Sequence, residues 1–336
     1  MKISAWNIRG LNDPLKQAEV NTFMRTNRLD VLGILETRVK EHHAKRIVNN
    51  HFNQYNIVTN YTAHYNGRIW CLWNPSTTHL DQFTVHEQFI HCKLHHYASG
   101  KNCWLTMVYG FNDGVQRRAL WNHLVAASNL NEEWLLLGDF NVVRDLNERI
   151  SNIPPDMNDI LEFNQCLLQA RLDDLNGTGS EFTWTNKQET GTRVWSKLDR
   201  ALVNQVWLSN YPNSTVFFPP AGISDHSPVL VTAFSEVVVK KRFSFLNCWT
   251  KSPPDDSVNN KWKGTHYGTP MHILFSKMKS LKSDLLSLHK PSFANLSAQV
   301  QEARTALHNC QSALQSDPLS ASLIQKEHDL LDVFSF

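Results

Sequence analysis

Residues 135 to 141 read Leu-Leu-Leu-Gly-Asp-Phe-Asn, an apolar run that stops at a glycine and is followed by polar side chains. A short apolar run bounded in this way predicts a buried strand, and Asp139 and Asn141 then lie at its exposed end. Glycine, aspartate and asparagine are also turn formers. The motif alone therefore leaves two alternatives, an ordinary turn and part of a functional site.

Other apolar runs end in polar residues in the same manner. Ser224, Asp225 and His226 directly precede a further apolar strand at residues 229–231. The remaining residues of this kind are Asn7 after residues 3–6, Glu36 after 31–35, Tyr109 after 104–108, and Asp199 within 193–203. In layered α/β folds, binding and catalytic groups gather at strand ends and in the loops that follow them.

Each of these residues also has a purely structural interpretation. Glu36 can cap a helix, and Asp199 can pair with Lys197 or Arg200. Tyr109 can be a buried ring before a turn, and Ser-Asp-His can cap an element. Separate structural explanations for the whole ordered set are less economical than one shared site, so the combination favours chemistry.

The residue types suit metal-assisted cleavage of a phosphodiester. Mg²⁺ prefers oxygen ligands, and it binds proteins through one or two carboxylates together with substrate phosphate. Glu36 and Asp225 supply carboxylates, and the amide oxygen of Asn7 can assist them. The metal then polarises the phosphoryl group and stabilises the leaving oxygen. We therefore predict Glu36, Asn7 and Asp225 as the metal site, with Mg²⁺ as cofactor and Mn²⁺ as an alternative.

The other members of the set fit catalytic roles. Asp139 with Asn141 can orient a water nucleophile, and Tyr109 can donate a hydrogen bond to a phosphate oxygen. An Asp199–His226 pair would select the tautomer of the imidazole and favour its cationic form near phosphate. Whether Asp139 or His226 removes the proton of the water stays open at this point.

The composition limits the class of protein. The chain has 336 residues, 41% of them hydrophobic, and a formal net charge of only +2, so any nucleic-acid binding must use a local patch. No pair of cysteines has the C-x-x-C spacing, which excludes the usual zinc and thioredoxin-like sites. Most cysteines precede or lie within apolar runs, as free thiols do, which favours a reducing compartment. The sequence contains no secretory or membrane-spanning apolar segment, so we expect the nucleus or cytoplasm. His86, His91, His95 and His96 alternate as on a sheet edge, which predicts exposed polar faces rather than a metal cluster.

Strand patterns alternate with helical patterns over residues 1–235, which predicts one layered α/β domain. Residues 236–268 have the composition of a linker. Residues 269–336 show an apolar seam on two amphipathic helices that Pro291 separates and Pro318 ends. This helical extension is predicted to form a hairpin, or an arm that contacts another protein or a missing domain.

The ordered motifs resemble those of the endonuclease/exonuclease/phosphatase superfamily, which includes DNase I, exonuclease III and the apurinic endonucleases. The motifs that carry the resemblance are Trp6-Asn7, Leu35-Glu36-Thr37, Val108-Tyr109-Gly110, Gly138-Asp139-Phe140-Asn141, Lys197-Leu198-Asp199-Arg200 and Ser224-Asp225-His226. The resemblance spans residues 1–235. It implies a four-layer α/β sandwich, in which two packed mixed β-sheets are flanked by helices, and a metal-dependent phosphodiesterase that cuts DNA.

The individual residues within several of these motifs resemble those of the endonuclease domain of plant LINE-type non-LTR retrotransposons. Trp-Asn-x-Arg-Gly-Leu opens that domain, Glu-Thr-Arg-Val follows its first helix, and Phe-Thr-Trp-Thr-Asn (182–186) precedes Lys-Leu-Asp-Arg. Such domains nick target DNA, and a reverse transcriptase follows on the same polypeptide. The extension resembles the connector to that polymerase. The chain has no aromatic-x-Asp-Asp motif, so the resemblance implies an element truncated before its polymerase.

One position departs from the apurinic endonucleases, which often carry an acidic residue two positions after the equivalent of Asn7. Arg9 stands there in this chain and cannot bind Mg²⁺, but it can contact a phosphate. We therefore assign Arg9, with Ser224 and Trp184, to substrate binding, and DNA as the expected partner. The alternatives are a relative that acts on another phosphoester, such as an inositol phosphate, and a folded but inactive remnant that at most binds.

Overall fold

The computed structural model describes residues 1–128, 131–234 and 270–332, and at residues 272, 275 and 279–299 it describes the backbone alone. The chain divides into two compact units. One comprises Met1–Glu236 together with Leu307–Phe336, and the other comprises Val237–Ala306. The predicted linker at 236–268 lies outside the described residues. The last part of the helical extension belongs to the same unit as the N-terminal domain.

Two mixed β-sheets form the centre of the first unit. The larger has the spatial order β11 (Gly177–Gly179), β15 (Thr215–Phe218), β16 (Val229–Thr232), β1 (Lys2–Asn7), β2 (Val31–Leu35), β4 (Ile69–Trp73) and β3 (Asn56–Thr59). The second has the order β10 (Leu172–Asp174), β14 (Asp199–Asn204), β8 (Trp134–Asp139), β7 (Lys101–Tyr109), β6 (Phe89–His96) and β5 (Thr78–Val85). A small third sheet contains β12 (Trp184–Thr185), β13 (Trp195–Ser196) and β9 (Arg149–Ile150).

Helices cover the outer faces of both large sheets. The first sheet packs against α1 (Pro14–Asn27) and α2 (Glu41–His51), and the second against α3 (Gly114–Ala127) and α4 (Met157–Ala170). A third apolar layer lies between the sheets, with side chains from both. The predicted four-layer sandwich is therefore confirmed.

Burial on both faces explains the continuous apolar run that precedes Asp139. Leu135 and Leu137 lie in the layer between the sheets, whereas Trp134 and Leu136 pack towards α3 and α4. A strand covered on both sides needs no polar alternation.

Strand direction brings the predicted site residues to one edge. β1 runs parallel to β2, and β7 runs parallel to β8, so the carboxyl ends of each pair lie side by side. β14 is antiparallel to β8, and β16 is antiparallel to β1. The amino ends of β14 and β16 therefore meet the carboxyl ends of β8 and β1.

The helical extension differs from its prediction at one proline and agrees at the other. A single helix, α6 (Pro270–Ser316), follows the short α5 (Gln205–Asn210) and continues through Pro291, where two helices were predicted. A proline removes one backbone hydrogen bond and can be accommodated by a local bend in a long helix. The helix ends at Ser316, close to Pro318, where the sequence predicts a break. The chain then reverses and continues as α7 (Ala321–Asp332), a reversal that was not predicted. Within the described residues, no helix is apolar over a stretch long enough to cross a membrane.

The prediction that four histidines lie on exposed faces was wrong for His91 and His96, whereas His86 and His95 are partly exposed. The two side chains are buried because both faces of β6 are covered, with His123 of α3 against His91 and Phe234 against His96. His91 stacks on Trp104 with 4.8 Å between ring centroids, and its Nδ1 lies 2.7 Å from the hydroxyl of Thr106. Burial, with a smaller contribution from His123, lowers the pKa of His91 to about 4.

This burial predicts a specific loss of stability in acid. An unfolded histidine takes up a proton below pH 6.5 or so, but folded His91 stays neutral down to about pH 4. Its contribution to stability is therefore complete above pH 6.5 and is lost as the pH falls towards 4. Relative to His91→Phe, which keeps the ring, the wild type should lose roughly 1 to 3 kcal/mol of unfolding free energy over this range.

Urea denaturation of both proteins at pH 7.5 and pH 4.5 measures this difference. His95→Phe is the matched control, because His95 lies on the same strand at a partly exposed position. An equal pH dependence of the wild type and His91→Phe would contradict the assignment.

Candidate active site

The predicted site residues meet at the edge of the two sheets around an open cavity of about 320 Å³. Polar and charged side chains dominate its lining, which consists of Asn7, Arg9, Glu36, Arg38, Tyr109, Asn112, Asp139, Asn141, Arg149, Trp184, Leu198 and His226. Asp199, Asp225 and Ser224 are linked to these residues by hydrogen bonds. The structure thus brings the whole predicted set together, and Ser224 is buried behind the cavity rather than on its surface.

Glu36 follows the last residue of β2 and is mostly buried. It does not cap α2, whose N-cap residue is Lys40. One carboxylate oxygen, Oε1, accepts hydrogen bonds from the guanidinium of Arg38. Glu36 and Arg38 both have left-handed backbone, with φ of 51° and 52°. Such conformations are uncommon for residues other than glycine and cluster at functional sites.

Asn7 connects the two sheets at their shared edge. Its Nδ2 donates to Asp139 Oδ2 at 2.8 Å, and its Oδ1 accepts from the backbone N–H of Arg9 at 3.0 Å. Asn7 belongs to the first sheet and Asp139 to the second. The asparagine therefore orients the carboxylate of Asp139 and leaves its own amide oxygen on the side of Arg9.

The carboxylate of Asp225 accepts hydrogen bonds from two side chains. Its Oδ2 forms an ion pair with Arg9 and accepts from the indole Nε1 of Trp184 at 3.2 Å. Burial alone would raise the pKa of Asp225, but the charges of His226 and Arg9 outweigh it and hold this pKa below its usual value. Ser224 supports the segment by donating to the backbone carbonyl of Asn7 at 2.7 Å. Asp225 is thus an anionic oxygen donor at neutral pH.

His226 forms the buried pair that the sequence predicts. Its Nδ1 lies 2.9 Å from Asp199 Oδ2, and its Nε2 lies 3.8 Å from Asp139 Oδ2. Asp199 does not pair with either of its basic neighbours, since Arg200 and Lys197 both contact Glu148. Thr183 stabilises the backbone at Asp199, because its hydroxyl oxygen accepts a hydrogen bond from the N–H of Asp199.

The charges of this cluster depend on each other. Burial lowers the pKa of His226, but Asp199 and Asp139 outweigh this effect and raise it to about 9. Burial is the main cause that raises the pKa of Asp139, to about 7, and the positive charge of His226 acts against it. At neutral pH the imidazole is therefore cationic and able to donate from Nε2.

Tyr109 and Asn141 are held by neighbours on the same edge. The Tyr109 hydroxyl accepts from Arg68 at 3.0 Å, and burial raises the pKa of this tyrosine above its usual value, so it stays protonated. The side chain of Asn141 donates to the carbonyl of Gly110 at 2.7 Å, and its N–H donates to Asp139 Oδ1 at 2.9 Å.

Gly138 is required where β8 approaches β7. Its φ is +140°, and a Cβ there would lie 2.1 Å from the carbonyl oxygen of Val108. No other residue fits this position without moving the strands apart. The glycine in the opening motif thus permits the close contact that places Asp139.

The side chains present fit a hard divalent cation. Glu36 and Asp225 are carboxylates and Asn7 offers an amide oxygen, which are the donors that Mg²⁺ prefers. An arginine neutralises each carboxylate, a role that a bound cation would share. A second group, Asp139, Asp199 and His226, has ligand atoms within 4.8 Å of one another. There the imidazole and the carboxylates already satisfy each other, so we favour the first set.

Sequence reasoning assigned no role to four residues that line or border the cavity. Arg38 lies in the Glu-Thr-Arg-Val motif, and a basic residue two positions after Glu36 is a signal that could have identified it. Arg68 follows the Asn-Gly turn and supports Tyr109. Arg149 and Asn112 reach the cavity through the small third sheet and the loop after β7, and neither carries a sequence signal.

Known structures share this fold. An apurinic endonuclease from Leishmania major has a TM-score of 0.55 at 15% identity, over 68% of this chain and 86% of that chain. A 3′–5′ exonuclease from Neisseria meningitidis has a TM-score of 0.53 at 18% identity, and the match covers 69% of this chain and 99% of the exonuclease. The endonuclease domain of TRAS1, a telomere-specific non-LTR retrotransposon, has a TM-score of 0.51 at 14% identity. The match covers 68% of this chain and 96% of the TRAS1 domain. At these identities the similarity concerns the fold.

Family membership rests on the sequence. No curated protein matches the chain. The model of the endonuclease/exonuclease/phosphatase family matches residues 4–226, which begin in β1 and end at His226. The match covers more than half of the chain and contains every predicted site residue. The chain therefore belongs to the endonuclease/exonuclease/phosphatase family of phosphoester hydrolases.

Proposed function

We propose that the protein is a Mg²⁺-dependent DNA endonuclease that hydrolyses a phosphodiester bond and leaves a 3′-hydroxyl. The observation that carries the proposal is a cationic His226 between two buried aspartates in an open cavity that Glu36 also lines. Asp225 is hydrogen-bonded to two of the lining residues, Arg9 and Trp184. A phosphodiester needs positive charge at its oxygens and a positioned water, and this arrangement supplies both.

Glu36, Asn7 and Asp225 would hold the metal, and Mn²⁺ would fit the same oxygen donors. When bound, the ion neutralises negative charge on the phosphoryl group and the leaving oxygen. The remaining chemistry belongs to the side chains around it.

Asp139 and Asn141 orient the attacking water. Asp139 Oδ2 is fixed by Asn7, and Oδ1 by the N–H of Asn141, so the carboxylate has one orientation. With a pKa of about 7, Asp139 can also accept the proton of the water near neutral pH. His226 donates from Nε2 to a phosphate oxygen, and Asp199, which accepts from Nδ1, favours the cationic form in which both ring nitrogens carry a proton.

Arginines and aromatic groups support DNA as the substrate. Arg9, Arg38 and Arg149 line the cavity, and their guanidinium groups can contact phosphate oxygens. Tyr109 donates a hydrogen bond to a non-bridging oxygen, and Trp184 offers an apolar face to a sugar or base. Among proteins of the same fold, zebrafish TDP2 has been seen with a single-stranded DNA product. We infer loose target choice, because phosphate contacts position more than they specify.

The similarity to the TRAS1 endonuclease domain supports a retrotransposon origin. Together with the Trp-Asn-x-Arg-Gly-Leu and Glu-Thr-Arg-Val motifs, it supports a LINE-type element as the source of the chain, and target nicking as its role.

Supercoiled plasmid with Mg²⁺ should be converted to the nicked circle, and EDTA should abolish the conversion. Glu36→Ala removes a metal ligand, and His226→Ala removes the cation at the phosphate. Each should lower the nicking rate by at least about 100-fold. Glu41→Ala and His42→Ala are matched controls on the exposed start of α2, and they should behave like the wild type. Equal rates for all five proteins would identify a contaminating nuclease, and no nicking by the wild type would reject the proposal.

Asp199→Asn should lower kcat by roughly 10² to 10⁴ and leave KM little changed, because the neutral amide no longer favours the cationic imidazole. Steady-state cleavage of a fluorescent duplex measures both constants. A rise in KM with normal kcat would show instead that Asp199 serves substrate binding.

The ends of the product separate an endonuclease from other phosphoesterases. A nick with a 3′-hydroxyl should support extension by a DNA polymerase without prior treatment. Phosphate release from inositol phosphates under the same conditions should be at background. Nicks that cannot be extended, or rapid release of inorganic phosphate, would contradict the proposed reaction.

A further inference from the structure

Residues 307–332 pack beside the candidate active site. We call residues 307–332 the docked hairpin; it contains the last turns of α6, the reversal at Pro318, and α7. Its buried side chains Leu314 and Ile324 form a small apolar cluster with Phe182 and Trp195 of the segment around β12 and β13. The hairpin thus covers one face of the third sheet, and Trp184 and Arg149 of the same sheet line the cavity.

Gln311 binds the backbone of one residue in the loop that leads to the Ser-Asp-His motif. Its Oε1 accepts from the N–H of Gly222 at 2.8 Å, and its Nε2 donates to the carbonyl of Gly222 at 3.0 Å. Both contacts are buried. A side chain that satisfies both backbone groups of one residue fixes the position of that residue, as a neighbouring strand would.

Gln315 repeats this arrangement one turn later. Its Oε1 accepts from the N–H of Phe182 at 3.0 Å, and its Nε2 donates to the carbonyl of Phe182 at 3.2 Å. Near the reversal, the indole of Trp195 donates to the carbonyl of Pro318 at 2.9 Å. Two glutamines on one helix therefore hold two separate segments of the nuclease domain.

A buried ion pair completes the contact. Arg193 and Glu327 pair with 0% and 1% of their side chains exposed, and Glu327 Oε1 also accepts from Gln311 Nε2 at 3.1 Å. A buried charge without its partner is strongly destabilising. The pair therefore favours the one position of the hairpin in which Arg193 and Glu327 meet.

The two segments held by the hairpin lead directly to the site. Gly222 is three residues before Asp225, and Phe182 is two before Trp184. Their far ends are joined, because the indole of Trp184 donates to Asp225 Oδ2 and the N–H of Thr185 donates to the carbonyl of Asp225 at 3.1 Å. A shift at Gly222 or Phe182 would therefore move Asp225 relative to Glu36.

We propose that Gln311 and Gln315 are positioning residues: the docked hairpin fixes Asp225 and Trp184 at the distance from Glu36 that metal binding and turnover require. This inference rests on the proposed function, in which Asp225 is a metal ligand. It assigns to the end of the chain a role in the nuclease site itself.

The test uses the full chain with Gln311→Met, which keeps the length of the side chain and removes its amide. The Mg²⁺ concentration for half-maximal nicking should rise by about 10- to 100-fold, the range typical when a partner of a metal ligand is lost. Hydrogen exchange of residues 219–227 should accelerate by about tenfold or more, because the N–H of Gly222 loses its acceptor. Gln315→Met provides a second variant, with the faster exchange expected at residues 181–185.

Gln325→Ala is the matched control, because Gln325 is exposed on α7 and its side chain donates to Asp329 of the same helix. It should change neither measurement. A lower melting temperature with unchanged Mg²⁺ dependence and unchanged exchange at 219–227 would overturn the inference, since the hairpin would then only add stability.

The two proposals fail in different ways. If the wild type does not nick DNA, the proposed function is rejected, and hydrogen exchange alone decides whether Gln311 positions the loop. If the wild type nicks DNA and Gln311→Met has normal Mg²⁺ dependence, the proposed function stands and the positioning role is rejected.

Discussion

The hydrogen bond between His226 and Asp199 is the contact on which the site depends, because it joins the two sheets at their shared edge. Asp199 begins β14 of the second sheet, and His226 lies just before β16 of the first. The bond between Asn7 and Asp139 crosses the same boundary. In a buried environment these groups are satisfied only when the sheets have one relative position. The polar contacts that perform the chemistry therefore also align the two halves of the sandwich.

Alignment of this kind explains why residues far apart in the sequence could be predicted to lie together at one edge. A polar residue after a buried strand has to be at a sheet edge, and parallel pairs bring such edges together. Asn7, Glu36, Tyr109 and Asp139 follow this rule, and the structure places all of them around one cavity. Asp199 was ambiguous in the sequence, because neighbouring basic residues offered it another partner. Asp199 pairs with His226 instead, because Glu148, which is distant in the sequence, forms ion pairs with both Lys197 and Arg200.

Other features depend on contacts between parts of the chain that are far apart in sequence, and local patterns do not report them. His91 has the alternation of an edge strand, but Trp104 and His123 of α3 cover its side chain. Arg149 reaches the cavity only because its short strand pairs with β13. Part of the apolar seam predicted for the extension is buried, at Leu307, Cys310 and Leu314. Its partner could not be inferred, because the surface it covers is assembled from residues that lie 89 or more positions earlier.

The docked hairpin also orders events during synthesis. Residues of the nuclease domain, including Gly222 and Phe182, leave the ribosome well before Gln311, Gln315 and Glu327 exist. Until the hairpin is made, the N–H of Gly222, the N–H of Phe182 and the charge of Arg193 lack the partners they have in the finished unit. Native contacts at Gly222, Phe182 and Arg193 are thus completed only by residues that are translated after every strand of the two large sheets. A nascent chain carries the catalytic side chains without the complete framework that holds them.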